Sequence, residues 1–230
     1  MRTLRLASIT CAATLLVHPA LAADRSHPLV LELFQSQGCS ACPPAEANFD
    51  LLAAKPDILA LSFAVTYWDR RGWKDTFAQP AFTQRQKSYA RRLDRGQPLG
   101  TPEVVVNGRA TGVGADPDRL NALLRSNDRG PGGPSVEITA GAALISGGPQ
   151  DRADVWLVRF DPRTIEVPIK AGENGGKTLP QRNIVRELVR LGEWTGGETR
   201  FALPAAATGL RTAILVQRPG GGPILAAGTS

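Results

Sequence analysis

The sequence predicts an α/β protein with a mixed sheet, followed by a β-rich C-terminal portion with a sandwich-like architecture. Three observations support this prediction. Strand-like and helix-like patterns alternate over residues 27–126, which is typical of strands joined by helical crossovers. Residues 127–134 are rich in Gly and Pro and form a linker by composition. Over residues 135–230, short apolar strands alternate with Gly and Pro turns, as in a small antiparallel sandwich.

The N-terminus has the pattern of a cleaved secretory signal peptide, which we predict for residues 1–22. Arg2 and Arg5 precede an apolar run, and an Ala-Leu-Ala cleavage pattern ends at Ala22. The apolar run is shorter than the ~20 residues that a membrane-spanning helix needs. No later segment is long and apolar enough to span a bilayer. We therefore expect a secreted, periplasmic protein that is not inserted in the membrane after cleavage.

Charges are scattered along the chain rather than grouped in blocks. The 230 residues include 27 basic and 21 acidic residues, for a net charge of +6 that falls to +4 without Arg2 and Arg5. The densest basic stretch, residues 84–95, has one aromatic residue and a helical pattern. We interpret it as a solvated helix face and expect no nucleic-acid partner. The sequence favours no particular oligomeric state.

The first predicted strand and helix meet at a pair of cysteines. Residues 27–34 form a compact apolar run that is typical of a buried strand. Pro43 and Pro44 fit only the first turn of a helix, where a missing N–H costs nothing. Cys39 therefore lies just outside the predicted helix, and Cys42 lies at its start.

The following elements complete the α/β portion. Residues 57–68 predict a second buried strand, and residues 79–93 a helix with one apolar stripe. A strand over residues 103–106 ends at an Asn-Gly hairpin turn, and a helix begins at Asp116. The order β-α-β-α-β-β-α predicts a mixed sheet of about four strands. In the β-rich portion, residues 182–194 fit a helix nearly as well as a strand, and we favour the strand.

The mature chain would contain only two cysteines, because Cys11 lies within the predicted signal peptide. The remaining Cys39 and Cys42 form a C-x-x-C pair in a protein expected where disulfides persist. Such a pair is a redox centre, half of a metal site or a structural disulfide. A structural zinc site needs four Cys or His ligands, and only His27 joins the two cysteines. We therefore expect no metal and no cofactor other than the pair itself.

The order of elements, the C-x-x-C pair and a Thr101–Pro102 step before the third strand together resemble the thioredoxin fold. The segments FQSQGCSACPPAEANFDLLA, TYWDRRGWKDTFAQPAFTQRQ and GTPEVVVNG are similar, more narrowly, to a family of secreted bacterial thioredoxin-like proteins of uncharacterised function. The resemblance implies a thioredoxin-like fold for residues 27–126. It also implies that Pro102 is cis and lies beside the cysteines, and that the backbone of Thr101 pairs with an extended substrate segment.

The predicted position of the pair suggests different chemical roles for its two thiols. Cys39 lies at a helix N-terminus, where free N–H groups and the helix dipole stabilise an anion. We predict that Cys39 has a lowered pKa, is the more exposed thiol and is the nucleophile. Cys42 is then the resolving thiol, which forms the Cys39–Cys42 disulfide. By the resemblance, Pro102 completes this catalytic set.

Three further residues are candidates for the site. Glu32 is the lone charge in an apolar strand, and the resemblance implies a buried acid in this strand that assists proton transfer to the resolving cysteine. In that family the acid lies one residue nearer to the first cysteine. The alternative is a Glu32 that points to solvent at a sheet edge. Trp68 and Trp73 would line an apolar lip for a substrate peptide, or else they simply pack in the interior.

The leading functional prediction is an exported thiol–disulfide oxidoreductase that acts on protein thiols or disulfides in the cell envelope. The direction of its redox chemistry is left open. The alternative is a non-catalytic thioredoxin-like binding module, in which the pair is a fixed disulfide or carries Cu(I) or another soft metal. A third possibility assigns the function to the β-rich residues 135–230.

Overall fold

The computed structural model describes residues 23–94, 98–147 and 152–230. The predicted signal peptide, residues 1–22, lies outside the described residues. The described chain is a mixed α/β protein with a large mixed sheet and additional β strands. None of its helices is long and apolar enough to cross a membrane.

The elements follow the predicted order β-α-β-α-β-β-α and then continue as strands. The helices are α1 (Pro43–Ala53), α2 (Pro80–Tyr89) and α3 (Pro117–Ser126), with a 3₁₀ helix at Thr66–Arg71 and a π-helical turn at Ala90–Asp94. The first strands are β1 (Leu29–Gln35), β2 (Ile58–Ala64), β3 (Glu103–Val106) and β4 (Ala110–Gly112). The later strands are β5 (Ser135–Thr139), β6 (Ala142–Ser146), β7 (Ala153–Asp161), β8 (Ile165–Pro168), β9 (Thr178–Gln181), β10 (Ile184–Trp194), β11 (Thr199–Ala202), β12 (Arg211–Gln217) and β13 (Ile224–Thr229). The strand that we favoured for residues 182–194 is confirmed as β10.

One eight-stranded sheet, in the order β13-β12-β7-β10-β2-β1-β3-β4, forms the centre of the molecule. β1 pairs in parallel with β2 and antiparallel with β3. β10 joins the edge of β2 through the parallel pair of Ile184 and Ser62. The sheet therefore continues from the α/β portion into the β-rich portion. The division at residues 127–134 stays a prediction, but the hydrogen-bonded sheet is common to both sides of it.

Each face of the sheet is covered by a separate apolar layer. α2 packs its Phe82 and Tyr89 against one face, and α1 and α3 pack against the other. The small sheet β11-β6-β5 covers the later strands through a third cluster that includes Ile145 and Trp194. Burying one such side chain contributes about 1.5–3 kcal/mol. Apolar burial on both faces explains why β1 and β2 are near-continuous apolar runs.

The alternation of side chains along β1 decides which face each residue meets. Leu31 and Leu33 join the layer of α1, whereas Val30 and Phe34 join the layer of α2. Because successive strand residues point to opposite faces, Glu32 also faces α2. This geometry decides which helix a buried acid in β1 can reach.

The hairpin of β8 and β9 projects towards the cysteine-bearing junction. Val167, Ile169 and Leu179 form a small apolar cluster with Trp73 and Phe77. This contact fixes the hairpin against the segment that follows the 3₁₀ helix. The connecting loop, residues 170–177, consequently lies over the start of α1, and we call it the strap.

Candidate functional site

The two cysteines lie at the junction of β1 and α1, as the sequence predicts. Cys42 is the N-cap of α1, and its N–H donates to the carbonyl oxygen of Cys39 over 3.2 Å. Both are free thiols. The Sγ of Cys39 donates to the carbonyl oxygen of Thr101 over 3.5 Å. The Thr101–Pro102 peptide is cis, as expected. Strand, helix and proline loop therefore meet at Cys39.

The surroundings move the pKa values of the two thiols in opposite directions. The hydrogen bond with the Cys42 side chain lowers the pKa of Cys39 to about 7 against the opposing effect of burial, and Thr101 adds to the decrease. Burial raises the pKa of Cys42 above its ordinary value, and the hydrogen bond to Cys39 raises it further. Cys39 is therefore the thiol that ionises more readily near neutral pH, and Cys42 stays protonated.

The prediction that Cys39 is the more exposed thiol is wrong, because both cysteines are 0% exposed. The strap lies against the turn that carries them. The Nδ2 of Asn174 donates to the carbonyl oxygens of Gln37 (3.0 Å) and Cys39 (2.9 Å). These partners are separated from Asn174 by more than 130 positions in the sequence. No local sequence pattern identifies the strap as part of the site.

Glu173 of the strap binds Ser40, one of the two residues between the cysteines. Its Oε2 accepts from the Oγ of Ser40 over 2.6 Å and from the backbone N–H of Ser40 over 3.3 Å. Its Oε1 lies 3.6 Å from Nη1 of Arg71. The hydrogen bonds from Ser40 hold the pKa of Glu173 below its ordinary value, with a smaller contribution from Arg71. The strap thus places an ionised carboxylate beside the C-x-x-C pair.

The structure does not bring Glu32 to the cysteines. Glu32 is 0% exposed, which rules out the solvent-facing alternative. Its carboxylate accepts from Nε (2.5 Å) and Nη2 (2.8 Å) of Arg85 and from the hydroxyl of Tyr89 (2.7 Å). Both partners belong to α2. The catalytic assignment made from the sequence therefore has no geometric support, because Glu32 faces α2 whereas the cysteines begin α1.

Glu46 is the buried acid beside the pair, and our sequence analysis missed it. It lies one helical turn after Cys42, to whose carbonyl oxygen its N–H donates over 3.1 Å. Burial raises the pKa of Glu46 to about 8, opposed by a hydrogen bond from Gln181 and reinforced by the negative charge of Cys39. The spacing of four residues from Cys42 on the buried side of a helix was the available signal.

A network of buried amides surrounds Glu46. The Nε2 of Gln181 lies 3.4 Å from Glu46 Oε1 and 3.2 Å from Gln35 Oε1. The Nε2 of Gln37 donates to the Oε1 of Gln181 over 3.2 Å. The indole N–H of Trp73 donates to Gln37 Oε1 over 2.9 Å. Trp73 therefore helps to hold this network and packs against the β8–β9 hairpin, which matches the packing alternative.

Trp68 and Thr101, by contrast, line one cleft beside the cysteines. The cleft has a volume of about 400 Å³ and is lined by Tyr67, Trp68, Arg70, Arg71, Leu99, Gly100 and Thr101. The indole N–H of Trp68 is buried and has no hydrogen-bond partner within the described residues. The structure thus gathers Cys39, Cys42, Pro102, Thr101 and Trp68 into one site.

Among residues 23–94, 98–147 and 152–230, no group of three or more His, Cys, Asp or Glu side chains is arranged to hold a metal ion. Cys39 and Cys42 are the two neighbouring soft ligands. Two thiolates suit Cu(I) among the biological metals. Metal binding at this point would rely on the pair alone.

Comparisons with known proteins extend over most of the chain. The model of a family described as a protein of unknown function (DUF1223) matches residues 30–217. The chain is similar to a protein from Agrobacterium tumefaciens solved by X-ray crystallography, with 30% identity, a TM-score of 0.72, and coverage of 90% of this chain and 94% of that chain. It also matches HBP35 of Porphyromonas gingivalis, with 12% identity, a TM-score of 0.62, and coverage of 90% and 76%, which is a likeness of fold alone. No curated protein matches the chain.

Proposed function

The chain belongs to the DUF1223 family, and for this member we propose an exported thiol–disulfide oxidoreductase of thioredoxin-like fold. The single observation that carries the proposal is the meeting of the C-x-x-C pair with the cis Thr101–Pro102 peptide at Cys39 Sγ. The substrates are protein thiols or disulfides in the cell envelope. The opposite pKa displacements of the two cysteines support an attacking and a resolving role.

The proposed reaction, written for reduction of a substrate, proceeds in two steps. The Cys39 thiolate attacks one sulfur of the substrate disulfide, so that a mixed disulfide forms, the substrate S–S bond breaks and one substrate thiolate leaves and takes a proton. Cys42 then loses its proton and attacks Cys39 Sγ, which releases the second substrate thiol. The protein pair gives up two electrons and becomes the Cys39–Cys42 disulfide. Oxidation of a substrate is the reverse.

Proton transfer from Cys42 is the difficult part of this scheme, because burial raises the pKa of that thiol. We propose Glu46 as the base, since it lies one turn further along α1 and its pKa of about 8 is close to operating pH. The backbone of Thr101 would pair with the substrate segment, and Trp68 would contact it within the cleft.

A redox titration tests the proposed function. The purified protein is equilibrated with glutathione buffers of graded potential, and its thiols are alkylated and counted by mass. We expect a midpoint between about −270 and −120 mV, the range of working oxidoreductases of this kind. A Cys42→Ser variant should accumulate the mixed disulfide, and Cys39→Ser should abolish exchange. Undiminished exchange by Cys39→Ser would contradict the proposal.

The second candidate is a non-catalytic module of thioredoxin-like fold. The observation that favours it is the burial of the pair, since both cysteines are 0% exposed. A fixed disulfide would resist the glutathione pool, with a potential below about −300 mV. A Cu(I) carrier would instead bind one Cu(I) per reduced chain and lose it in Cys42→Ser. Either result would replace the oxidoreductase assignment.

A further inference from the structure

The strap places a charged group of the protein itself where a substrate would have to approach. Glu173 accepts from Ser40, the residue that follows Cys39, and forms an ion pair with Arg71. Asn174 is 0% exposed and donates hydrogen bonds to the carbonyl oxygens of Gln37 and Cys39. These contacts hold the strap against the residues on either side of the Cys39 thiol, which is itself 0% exposed.

The charge of the cleft beside Thr101 favours an anionic group as the replacement for the contacts of the strap. Among the described residues that line it, two are arginines and none is acidic. The guanidinium of Arg71 lies 4.6 Å from the centre of the Trp68 ring, so that this cation is oriented over the cleft. Arg70 is exposed and forms no ion pair with any described residue. An anionic group would find complementary charge at Arg70 and Arg71.

We propose that this cleft is a subsite for an acidic peptide segment, and that a substrate carboxylate takes the place of Glu173 at Arg71. The proposal rests on the proposed function and names its substrate class: protein thiols or disulfides flanked by Asp or Glu. Loss of Arg71 leaves Glu173 bonded only to Ser40, and the strap leaves the junction once the substrate backbone also replaces Asn174 at the carbonyl oxygens of Gln37 and Cys39.

The contacts of the strap fit a peptide better than a small anion. The Arg71–Glu173 pair is solvent-exposed, with side chains 64% and 37% exposed, and such pairs are weak enough for another carboxylate to replace. The two carbonyl oxygens held by Asn174 need N–H donors once the strap leaves. An extended peptide supplies both the carboxylate and the backbone N–H groups. A small anion supplies only the charge.

Exchange rates with matched peptides test the proposal. The reduced full-length mature chain is mixed with disulfide-linked model peptides that are identical except for Asp, Asn or Lys next to the cysteine. At low ionic strength we expect the Asp peptide to react about tenfold faster than the Lys peptide, because complementary charge raises the encounter rate. The ratio should fall towards one at high salt.

Matched variants identify the residues responsible. An Arg70→Gln, Arg71→Gln double variant should lose the Asp-over-Lys preference but still react with the Asn peptide. Lys74→Gln, which removes an exposed cation outside the cleft lining, should keep the preference. Glu173→Gln retains the size and the hydrogen-bonding capacity of the side chain but removes its attraction to Arg71. We expect this variant to react faster with all three peptides, and its Cys39 to be alkylated faster by neutral iodoacetamide.

Three outcomes would overturn the proposal, and they differ in what they leave standing. Equal rates with the Asp and Lys peptides would reject the acidic subsite while leaving the oxidoreductase in place. Glutathione disulfide reacting as fast as the Asp peptide, with the same dependence on Arg71, would assign the subsite to a small anion. Absence of exchange with every disulfide, together with a pair that the redox buffers do not reduce, would reject the proposed function itself.

Discussion

Glu32 and Glu46 are two buried carboxyl groups on opposite sides of the same sheet, and the protein accommodates them in different ways. Glu32 is 0% exposed and is paired with the guanidinium of Arg85. Glu46 is 8% exposed, and within the part of the chain that the structure describes it forms no ion pair and accepts from the amide of Gln181. A buried charge must be paired, or the group takes up a proton instead. Burial alone therefore does not tell which of two acids can exchange protons at neutral pH.

The comparison also explains where the reactive chemistry lies. An ion pair with two charge-assisted hydrogen bonds joins Glu32 to Arg85, which suits a structural role between β1 and α2. Glu46 keeps a proton that it can exchange near neutral pH, since burial raises its pKa to about 8. Cys39 is a third case, because hydrogen bonds lower its pKa to about 7. A cation therefore stabilises the buried Glu32, a bound proton stabilises Glu46, and hydrogen bonds stabilise Cys39.

The largest expected effect is on stability, from removal of the cation beside Glu32. Arg85→Met leaves a buried carboxylate unpaired, and we expect the free energy of unfolding to fall by about 3–5 kcal/mol. Urea denaturation followed by circular dichroism measures it. Gln84→Ala, an exposed neighbour on α2, should change the free energy by less than about 0.5 kcal/mol. A loss below about 1 kcal/mol in Arg85→Met would show that Glu32 is accommodated without its partner.

The second prediction concerns the pH dependence that Glu46 gives to stability. Its pKa rises from 4.5 to about 8 on folding, so in this pH interval the folded protein holds a proton that the unfolded chain has released. Stability from this group is therefore present at low pH and is lost as pH rises to about 8, with a slope of at most about 1.4 kcal/mol per pH unit. Unfolding of reduced wild type and Glu46→Gln across this range gives the difference.

The control for that experiment is a variant at Glu32, the other buried carboxyl group. A Glu32→Gln, Arg85→Met double variant removes the ion pair, and it should leave the Glu46-dependent slope in place because the two groups lie on opposite faces of β1. If the free energy of unfolding of the wild type ran parallel to that of Glu46→Gln between pH 4.5 and 8, Glu46 would titrate normally. Its proposed role as a base would then lose its support.

Catalysis should respond to Glu46 in the resolving step. We expect Glu46→Gln to slow release of the mixed disulfide by about 10²-fold, a typical contribution of general base catalysis. Attack by Cys39 should change much less. Stopped-flow and acid-quench measurements separate the two steps. The pH dependence of resolution near pH 8 should disappear in Glu46→Gln, which a merely structural role would not cause. Equal slowing of both steps would point to misfolding of α1.

The smallest expected effect is on the ionisation of Cys39. Cys42→Ala removes the hydrogen bond that contributes most to the lowered pKa, so the pKa of Cys39 should rise from about 7 towards its ordinary value of 9.0. The midpoint of alkylation rate against pH measures the change. Cys42→Ser supplies a hydroxyl in place of the thiol and should retain most of the shift. An unchanged midpoint in Cys42→Ala would assign the shift to Thr101 and the backbone of α1.

Sequence reasoning succeeded where a feature depends on residues a few positions apart. The junction of β1 and α1 follows from an apolar run, Pro43 and Pro44. It failed for Glu32, because a charge in a buried strand shows that the acid is buried but not which helix it faces. It overlooked Glu46, whose distance of one turn from Cys42 was readable, although its hydrogen bond from Gln181 in β9 was not.

The sequence alone thus established the alternation of elements, the location of the C-x-x-C pair and the proline step that meets it. Tertiary structure decided the rest: β10 joins β2 and extends one sheet across the predicted linker, and the strap from the β8–β9 hairpin binds the backbone of Cys39. The physical reason is the range of the interactions. Periodicity, capping and proline geometry act within a few residues, whereas the surroundings of Cys39 include a group that is 135 positions away.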